Sequence, residues 1–305
     1  MVDLAAQVGG DTLHTGVCLR VVQLSDVGRQ REINEESFGQ IDSTGPFGDV
    51  VRLFVVADGM GGHVAGEVAS RVAVEITLEM FQKTTQWNDM AERMRYAVER
   101  ANAEVYALGN TDHRLTGMGT TVVAAAVSDT GLTLANVGDS RAYLLRNGEL
   151  TQLTRDHSWV ARGVEEGVLT PAQARYHPDR NVIYRSLGAD SEVKVDTFSY
   201  DLLAGDRVLL CSDGLTDVVE DDYLAELAGE DDPELAVRQM IDRANAAGGP
   251  DNITVTMIVV EATASRVAKS QETPLEAEAG ISTPDAGKSN LEKKIVGWLR
   301  WLFHS

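Results

Sequence analysis

VVADGMGGHVAGE, residues 55–67, runs an apolar segment into a carboxylate, Asp58, then places Gly59, Gly61, Gly62 and His63 before anything able to start a helix. A β-branched apolar run reads as a buried strand. Asp58 therefore falls at a strand end, where an unpaired charge is costly to bury. The pattern recurs: Asp139 follows LANVG, Asp213 follows RVLLCS, and Asp251 precedes NITVTMIVV. One such Asp is ordinarily a turn former or a helix cap, because its side chain bonds nearby backbone. Four point to carboxylates converging on one edge of a layered fold, where they would stay protonated unless a cation neutralised them. A hard divalent ion such as Mg²⁺ or Mn²⁺ takes oxygen ligands and keeps waters, so no Cys is required. On this reading Asp58 is a ligand, Gly59 gives its carbonyl or the ion's water close access, and the following glycines turn the chain into a helix.

Composition limits the alternatives. With 305 residues, 43% of them hydrophobic, the chain can bury one large core or two modest ones. Lys and Arg total 27 against 47 Asp and Glu, a formal charge of −20 that argues against nucleic-acid binding. The first residues lack the basic end and apolar stretch of a secretory signal, and no window approaches the ~20 apolar residues of a membrane span. Cys18 and Cys211 make no disulfide framework, which suits a reducing cytoplasm.

Strand-like runs occur at 17–24, 51–57, 120–127, 132–137, 141–145, 193–198, 207–211 and 253–260, joined in places by turns as short as Arg146-Asn147-Gly148. Short turns favour antiparallel sheets. Helical periodicity marks 65–81, 90–108 and about 234–246, the last with Pro233 in its first turn and Asp232 as cap. The spacing predicts helices covering sheets in one layered domain over 16–260, after a lead-in at 1–15. Residues 261–289, poor in large apolar groups, read as a flexible linker. NLEKKIVGWLRWLFHS (290–305) then reads as an amphipathic helix that contacts a membrane surface or partner protein, or docks on its own domain.

Other phosphate chemistries miss on spacing. A cysteine phosphatase needs an Arg six residues after its Cys, but Leu24 and Asp217 stand there. The Gly-Lys-Ser at 287–289 has Ser282 where a phosphate-binding loop needs its first Gly, and Gly59-x-Gly61 breaks at Val64 as a dinucleotide motif.

Seven stretches taken together resemble a known family. They are SDVGRQREINEESFG (25–39), VVADGMGGHVAGE (55–67), MGTTVVAAAV (118–127), ANVGDSRAYLLRNGELTQLTRDHS (135–158), HPDRNVIYRSLG (177–188), VLLCSDGLTDVV (208–219) and GGPDNITVTMIVV (248–260). In this order they are similar to the metal-dependent protein serine/threonine phosphatases of type 2C, in their compact bacterial form. The fold implied is α+β: two packed antiparallel β-sheets with α-helices on both outer faces, four layers in all, and the site at one edge of the sandwich.

By the same resemblance, Asp58 bridges two divalent cations, Mn²⁺ or Mg²⁺, with Asp213 and Asp251 completing the first and the Gly59 carbonyl serving the second. Asp139, with Asp213, matches a weaker third cation site. Arg31 matches the family's phosphate-gripping arginine, in keeping with the match between a guanidinium fork and phosphate oxygens. Glu35 and Glu36 are both candidate ligands, since Asn34-Glu35-Glu36 stands where the family usually has Asn-Glu-Asp. His63 is either the acid that protonates the leaving alkoxide or an anchor of its loop. Residues about 159–190, helix-poor and polar, correspond to the mobile flap, where His177, Arg180 and Arg185 are candidate substrate contacts.

The activity implied is hydrolysis of phosphoserine and phosphothreonine in proteins by direct attack of a metal-bridging hydroxide, opposing a serine/threonine kinase. The rival expectation is a catalytically weak or dead phosphoprotein-binding module of the same fold. A third is a phosphatase of small phosphate esters. The expected location is cytoplasmic, peripheral at the inner membrane face if the C-terminal segment binds lipid.

Overall fold

The computed structural model describes residues 17–45, 48–62, 64–129 and 131–263. The lead-in at 1–15, His63, most of the linker and the 290–305 segment lie outside the described residues. In chain order the strands are β1 (Cys18–Asp26), β2 (Glu36–Thr44), β3 (Val50–Met60), β4 (Gly119–Thr120), β5 (Val122–Ser128), β6 (Gly131–Val137), β7 (Arg141–Arg146), β8 (Glu149–Gln152), β9 (Asp196–Tyr200), β10 (Arg207–Cys211) and β11 (Ile253–Ala262). The helices are α1 (Val64–Lys83), α2 (Met90–Thr111), α3 (Trp159–Glu165), α4 (Pro171–Arg175), α5 (Asp213–Thr216), α6 (Asp221–Ala228) and α7 (Pro233–Ala246).

The strands form two sheets, in the orders β1-β11-β10-β7-β8 and β2-β3-β5-β6-β9, with the short β4 beside β3. All pairings along both sheets are antiparallel. Period-two alternation sorts each strand's side chains between layers. In β3, Leu53, Val55 and Ala57 face α1 and α2, while Phe54 and Val56 face the opposite sheet. In β10, Leu209 and Cys211 face α5–α7, and Val208 and Leu210 enter the space between the sheets. Three apolar clusters result, one under each helical layer and one between the sheets, so the four-layer α-β-β-α expectation holds. In β5, buried on both faces, Ala124 and Ala126 take up little room beneath the helices.

Two expectations need correction. β2, β8 and α6 were not anticipated: β2 carries Glu36, Ser37, Gly39, Gln40, Asp42, Ser43 and Thr44, too polar to read as a strand, and is held by its ladder with β3. The flap is also not helix-poor, since α3 and α4 lie inside it. Ser158 caps α3, and Thr170 and Gln173 form a reciprocal capping box on α4, with Pro171 at the first helical position.

Since every pairing reverses the chain, the C-terminal ends of β3, β6 and β10 and the N-terminal ends of β2, β7 and β11 meet at one edge. At that edge Glu36 lies opposite Asp58, and Cys211 lies opposite Arg141 and Val255. Far from it, a buried cation ties the hairpin of β2 and β3 to both long helices. Arg93 is fully buried, donates twice to the Phe81 carbonyl, at 2.9 and 2.7 Å, and reaches the Thr44 carbonyl and Ser43 Oγ. Burial pulls its pKa down to about 10, so it stays charged at neutral pH. Arg93→Ala strands these acceptors and leaves a cavity, and should cost about 3–5 kcal/mol in urea unfolding. Arg93→Met, which keeps the bulk, should lose about 2 kcal/mol or more; a loss under ~1 kcal/mol in Arg93→Ala would show that the guanidinium is not a strut.

Candidate active site

The edge holds a cavity of about 230 Å³ lined by Arg31, Glu35, Asp58, Gly59, Asp139, Asp213 and Asp251, with Asn181 and Ile183 from the flap. Seven candidate residues scattered over more than two hundred positions thus share one small space. A second cavity of about 660 Å³, between α3, α4 and the α5–α6 segment, adjoins it through Asp139 and Asp213.

Asp58 is fixed by its neighbour on β5's side. Its amide donates to Thr121 Oγ1 at 3.1 Å, and its carbonyl accepts from the Thr121 amide at 2.9 Å and from Thr120 Oγ1 at 2.8 Å. Thr121 Oγ1 in turn lies 2.7 Å from Ser140 Oγ, next to Asp139. Gly59 lines the cavity and has a packing role besides the access expected of it. A Cβ there would sit 2.1 Å from the Gly66 carbonyl oxygen and 2.5 Å from that of Glu35, so the backbones of β3, α1 and the Glu35 loop cross too closely for a side chain. Arg31 donates to Asp251 Oδ2 at 2.7 Å, and although partial burial opposes its charge, Asp251, Glu35 and Asp58 together more than compensate. Its guanidinium is half exposed at the cavity mouth.

Asn252 was not anticipated as a site residue. Its Oδ1 accepts from the Glu35 amide at 2.8 Å, and its Nδ2 donates to the carbonyls of Val27 and Ile33 at 2.9 and 3.0 Å. One amide side chain therefore shapes the loop that presents Arg31 and Glu35. The sequence signal was its place beside Asp251. Thr121 and His157, each hydrogen-bonded to a loop that carries a site carboxylate, gave no such signal.

Glu36 does not line the cavity. It is buried between the sheets, where Thr254 Oγ1 donates to its Oε2, while Oε1 has no partner. The flap candidates also lie elsewhere. Arg180 faces the larger cavity, with Nε 3.4 Å from Asp217 Oδ2. His177 lines neither cavity and accepts the Asp179 amide at 3.1 Å. Arg185 is spent internally: it donates to Asp196 Oδ1 at 3.0 Å and to the Lys194 carbonyl at 3.2 Å. Asn181 and Ile183 take their place over the cavity.

The carboxylates are electrostatically frustrated. Burial first, then the charge of Asp213, holds the pKa of Asp58 and Asp139 well above the usual range. Burial, followed by Asp217 and Asp251, pushes Asp213 up to about 7, and burial pushes Glu36 up to about 8. Asp213 Oδ1 is buried with no hydrogen-bond partner. Among the described residues, no three acidic, His or Cys side chains are gathered closely enough to cage an ion unaided. That spacing suits a hard ion that keeps several waters, and the orphaned, mutually repelling oxygens fit such a cation.

Residues 42–254 match the family described as protein phosphatase 2C. The chain belongs to the protein phosphatase 2C family. It is 38% identical over 238 residues to the serine/threonine phosphatase stp of Listeria monocytogenes, covering 77% of this chain and 93% of that protein. The crystal structure of the Mycobacterium tuberculosis serine/threonine phosphatase PstP/Ppp superposes with a TM-score of 0.71 at 39% identity, covering 80% of this chain and 99% of that one. A structure of the catalytic domain of the phosphatase PstP in complex with two manganese ions gives 0.67 at 38% identity, covering 79% and 97%. The two-sheet fold found here is therefore that of the 2C phosphatases.

The raised pKa values fix a sign for stability in the metal-free protein. Carboxylates that titrate near 4 when unfolded and near 7–8 when folded keep protons in the folded state that the unfolded chain has released. Their contribution is present in full below about pH 4 and is lost as pH rises through 7–8. Chelator-treated protein should melt at least about 5 °C lower at pH 8.5 than at pH 5.5, and added Mn²⁺ should restore most of the difference at pH 8.5. An unchanged Tm would mean that these groups are hydrated and titrate normally.

Proposed function

We propose that this chain hydrolyses phosphoserine and phosphothreonine in proteins, with divalent cations held by the edge carboxylates, and that it opposes a serine/threonine kinase. The observation that carries the reading is the meeting of Asp58, Asp139, Asp213, Asp251 and Arg31 in one small cavity. The relatives' names as serine/threonine phosphatases and the two manganese ions in the PstP structure support it. No observation favours a dead binding module, because a non-catalytic domain would have no reason to keep buried acids that repel one another.

In this reading Asp58, Asp213 and Asp251 would hold one cation, Asp58 with Glu35 and the Gly59 carbonyl would hold a second, and Asp139 with Asp213 a weaker third. Glu36, withdrawn between the sheets, sets the charge and hydrogen bonding behind these ligands without reaching an ion. Bound there, two cations supply a water of near-neutral pKa and the positive charge needed for in-line attack on phosphorus. Arg31 grips the phosphate. It stands at the cavity mouth on Asp251, and a cation on that carboxylate and a phosphate at the mouth would both draw the guanidinium outward. The Asn252 amide keeps the Arg31 loop in register with the Asp251 end of β11. Residues His177, Arg180 and Arg185 hold no place in this mechanism. His63 stays a proposal for protonating the leaving alkoxide or anchoring its loop.

No helix among the described residues is long and apolar enough to cross a membrane. A cytoplasmic enzyme is proposed, with 16–260 as the catalytic domain. Within 261–305 acids and bases number six each, so the −20 charge belongs to the preceding residues. The basic, Trp-bearing 290–305 segment is proposed to bring the acidic catalytic domain to a membrane surface or a protein complex.

On a phosphothreonine peptide, turnover should require Mn²⁺ or Mg²⁺, vanish with EDTA, and fall at least about 100-fold in Asp58→Asn, a loss of ~3 kcal/mol in barrier lowering. Arg31→Ala should chiefly raise KM. Full activity in Asp58→Asn would overturn the assignment. Deleting 290–305 should leave peptide turnover within about twofold and change where the protein is found in fractionated cells; an unchanged distribution would remove the targeting role.

A further inference from the structure

His157 is 2% exposed, stands just before the flap, and belongs to none of the roles assigned above. It clasps the turn that carries Asp139. Its backbone amide donates to the Gly138 carbonyl at 2.9 Å, and its ring Nδ1 accepts from the Gly138 amide at 3.0 Å. That second bond requires a lone pair on Nδ1, since the Gly138 amide can only donate. Nε2 faces two groups at once: Arg185 Nη1, 2.9 Å away, and Asp196 Oδ2 on β9, 3.3 Å away, with the same Arg185 Nη1 donating to the other oxygen of that carboxylate at 3.0 Å. Burial, reinforced by Arg185, holds the ring's pKa below its usual value, in keeping with a neutral acceptor.

The same residue is stitched to the flap's return. The Tyr184 amide donates to the His157 carbonyl at 2.8 Å, and the Trp159 amide donates to the Val182 carbonyl at 3.1 Å. Ile183, which lines the catalytic cavity, pairs with Ser158 in a two-residue bridge. On its other side Gly138, at φ +104°, packs so tightly on Thr121 that a Cβ would come within 2.6 Å of that side chain. Thr121 is the residue that holds the Asp58 amide and Ser140 Oγ. A continuous path of hydrogen bonds and close contacts thus runs from flap to His157, to the Gly138–Asp139 turn, to Thr121 and Asp58.

We propose that His157 is a positioning residue that locks the Gly138–Asp139 turn to the base of the flap, so that the Asp139 carboxylate is held where it can share a cation with Asp213. This rests on the reading of Asp139 as a ligand of the weakest cation. The bond to Gly138 uses the δ position of the ring, and the contacts with Arg185 and Asp196 use the ε position. Asparagine offers an acceptor at the δ position alone, whereas glutamine moves its acceptor one bond further out. The two variants therefore separate the clasp on Gly138 from mere filling of space.

The test uses the full chain and Mn²⁺, read by calorimetry and by the electron paramagnetic resonance of bound ion, beside Tm and peptide turnover. His157→Ala and His157→Gln should weaken the weakest Mn²⁺ site about tenfold, equivalent to ~1.4 kcal/mol, and leave the tighter sites within twofold. His157→Asn should recover most of that affinity even if its Tm falls like that of His157→Gln. The Mn²⁺ concentration for half-maximal turnover should follow the same order. Equal Mn²⁺ binding by the Asn and Gln variants would overturn the proposal, and that comparison stands even if His157→Ala fails to fold. Asp139→Ala separates the layers of inference: if it weakens the same site while the His157 variants do not, the positioning role alone is wrong. If Asp139→Ala leaves the isotherm unchanged, the ligand reading fails and the proposal falls with it.

Discussion

Repulsion among buried carboxylates is the constraint around which this fold is arranged. Asp58, Asp139 and Asp213 leave water at the ends of three different strands; burial raises the cost of ionising each, and the charge of Asp213 adds to it for the other two. Among the described residues, no cationic side chain neutralises them in full. Arg31 spends its hydrogen bond on Asp251, and the partly buried Arg141 is already held by both oxygens of Asp156 at 2.7–3.1 Å. A cluster of this kind persists only if the rest of the domain is stable enough to carry it, which the three apolar clusters supply, and if an external cation lowers its cost when bound.

The loops presenting these acids are held almost wholly by neutral groups. Asn252 shapes the Glu35 loop, Thr121 fixes the Asp58 backbone, and Asn136 donates to the Arg155 carbonyl at 3.0 Å just ahead of the Asp139 turn. A charged side chain in any of these positions would shift the titration of the carboxylates and compete with a bound ion. An amide or hydroxyl gives direction at little electrostatic cost. Cationic struts stand further out: Arg93 at the far end of β2 and β3, and Arg146, which binds both oxygens of Asp206 at 2.8 and 2.6 Å.

Much of this was legible in the amino-acid order, and the limits have physical causes. The run into Asp58 is a strand buried on both faces, so its hydrophobicity is continuous and its end abrupt; β10 and β11 carry the same signal. The long helices α1 and α2 were visible because a wide apolar stripe repeats over many turns. β2 was hidden because its cross-strand ladder, not its side chains, makes it a strand. The short flap helices depend on caps and on contacts beyond their own length. At the site, the metal-type acids could be found because buried acids at strand ends are rare. Arg185 could not be separated from a substrate contact, since only the fold reveals the Asp196 carboxylate that occupies it.

Glu36 shows how one methylene can be absorbed. On β2 it lies opposite Asp58, and its side chain passes into the space between the sheets toward Thr254 on β11. Thr254 alternates inward with Thr256, Ile258 and Val260, while Ile253, Val255 and Met257 pack under the helices. The longer side chain therefore reaches a hydroxyl of the opposite sheet in place of the cavity. With a pKa near 8, it stays largely protonated in the metal-free protein at neutral pH, adding a hydrogen-bonding group behind the ligands without adding a full charge to them. A shorter carboxylate on the same strand position would stop nearer Asp58 and sharpen the repulsion there. The glutamate that stands where the family usually has an aspartate is accommodated by depth.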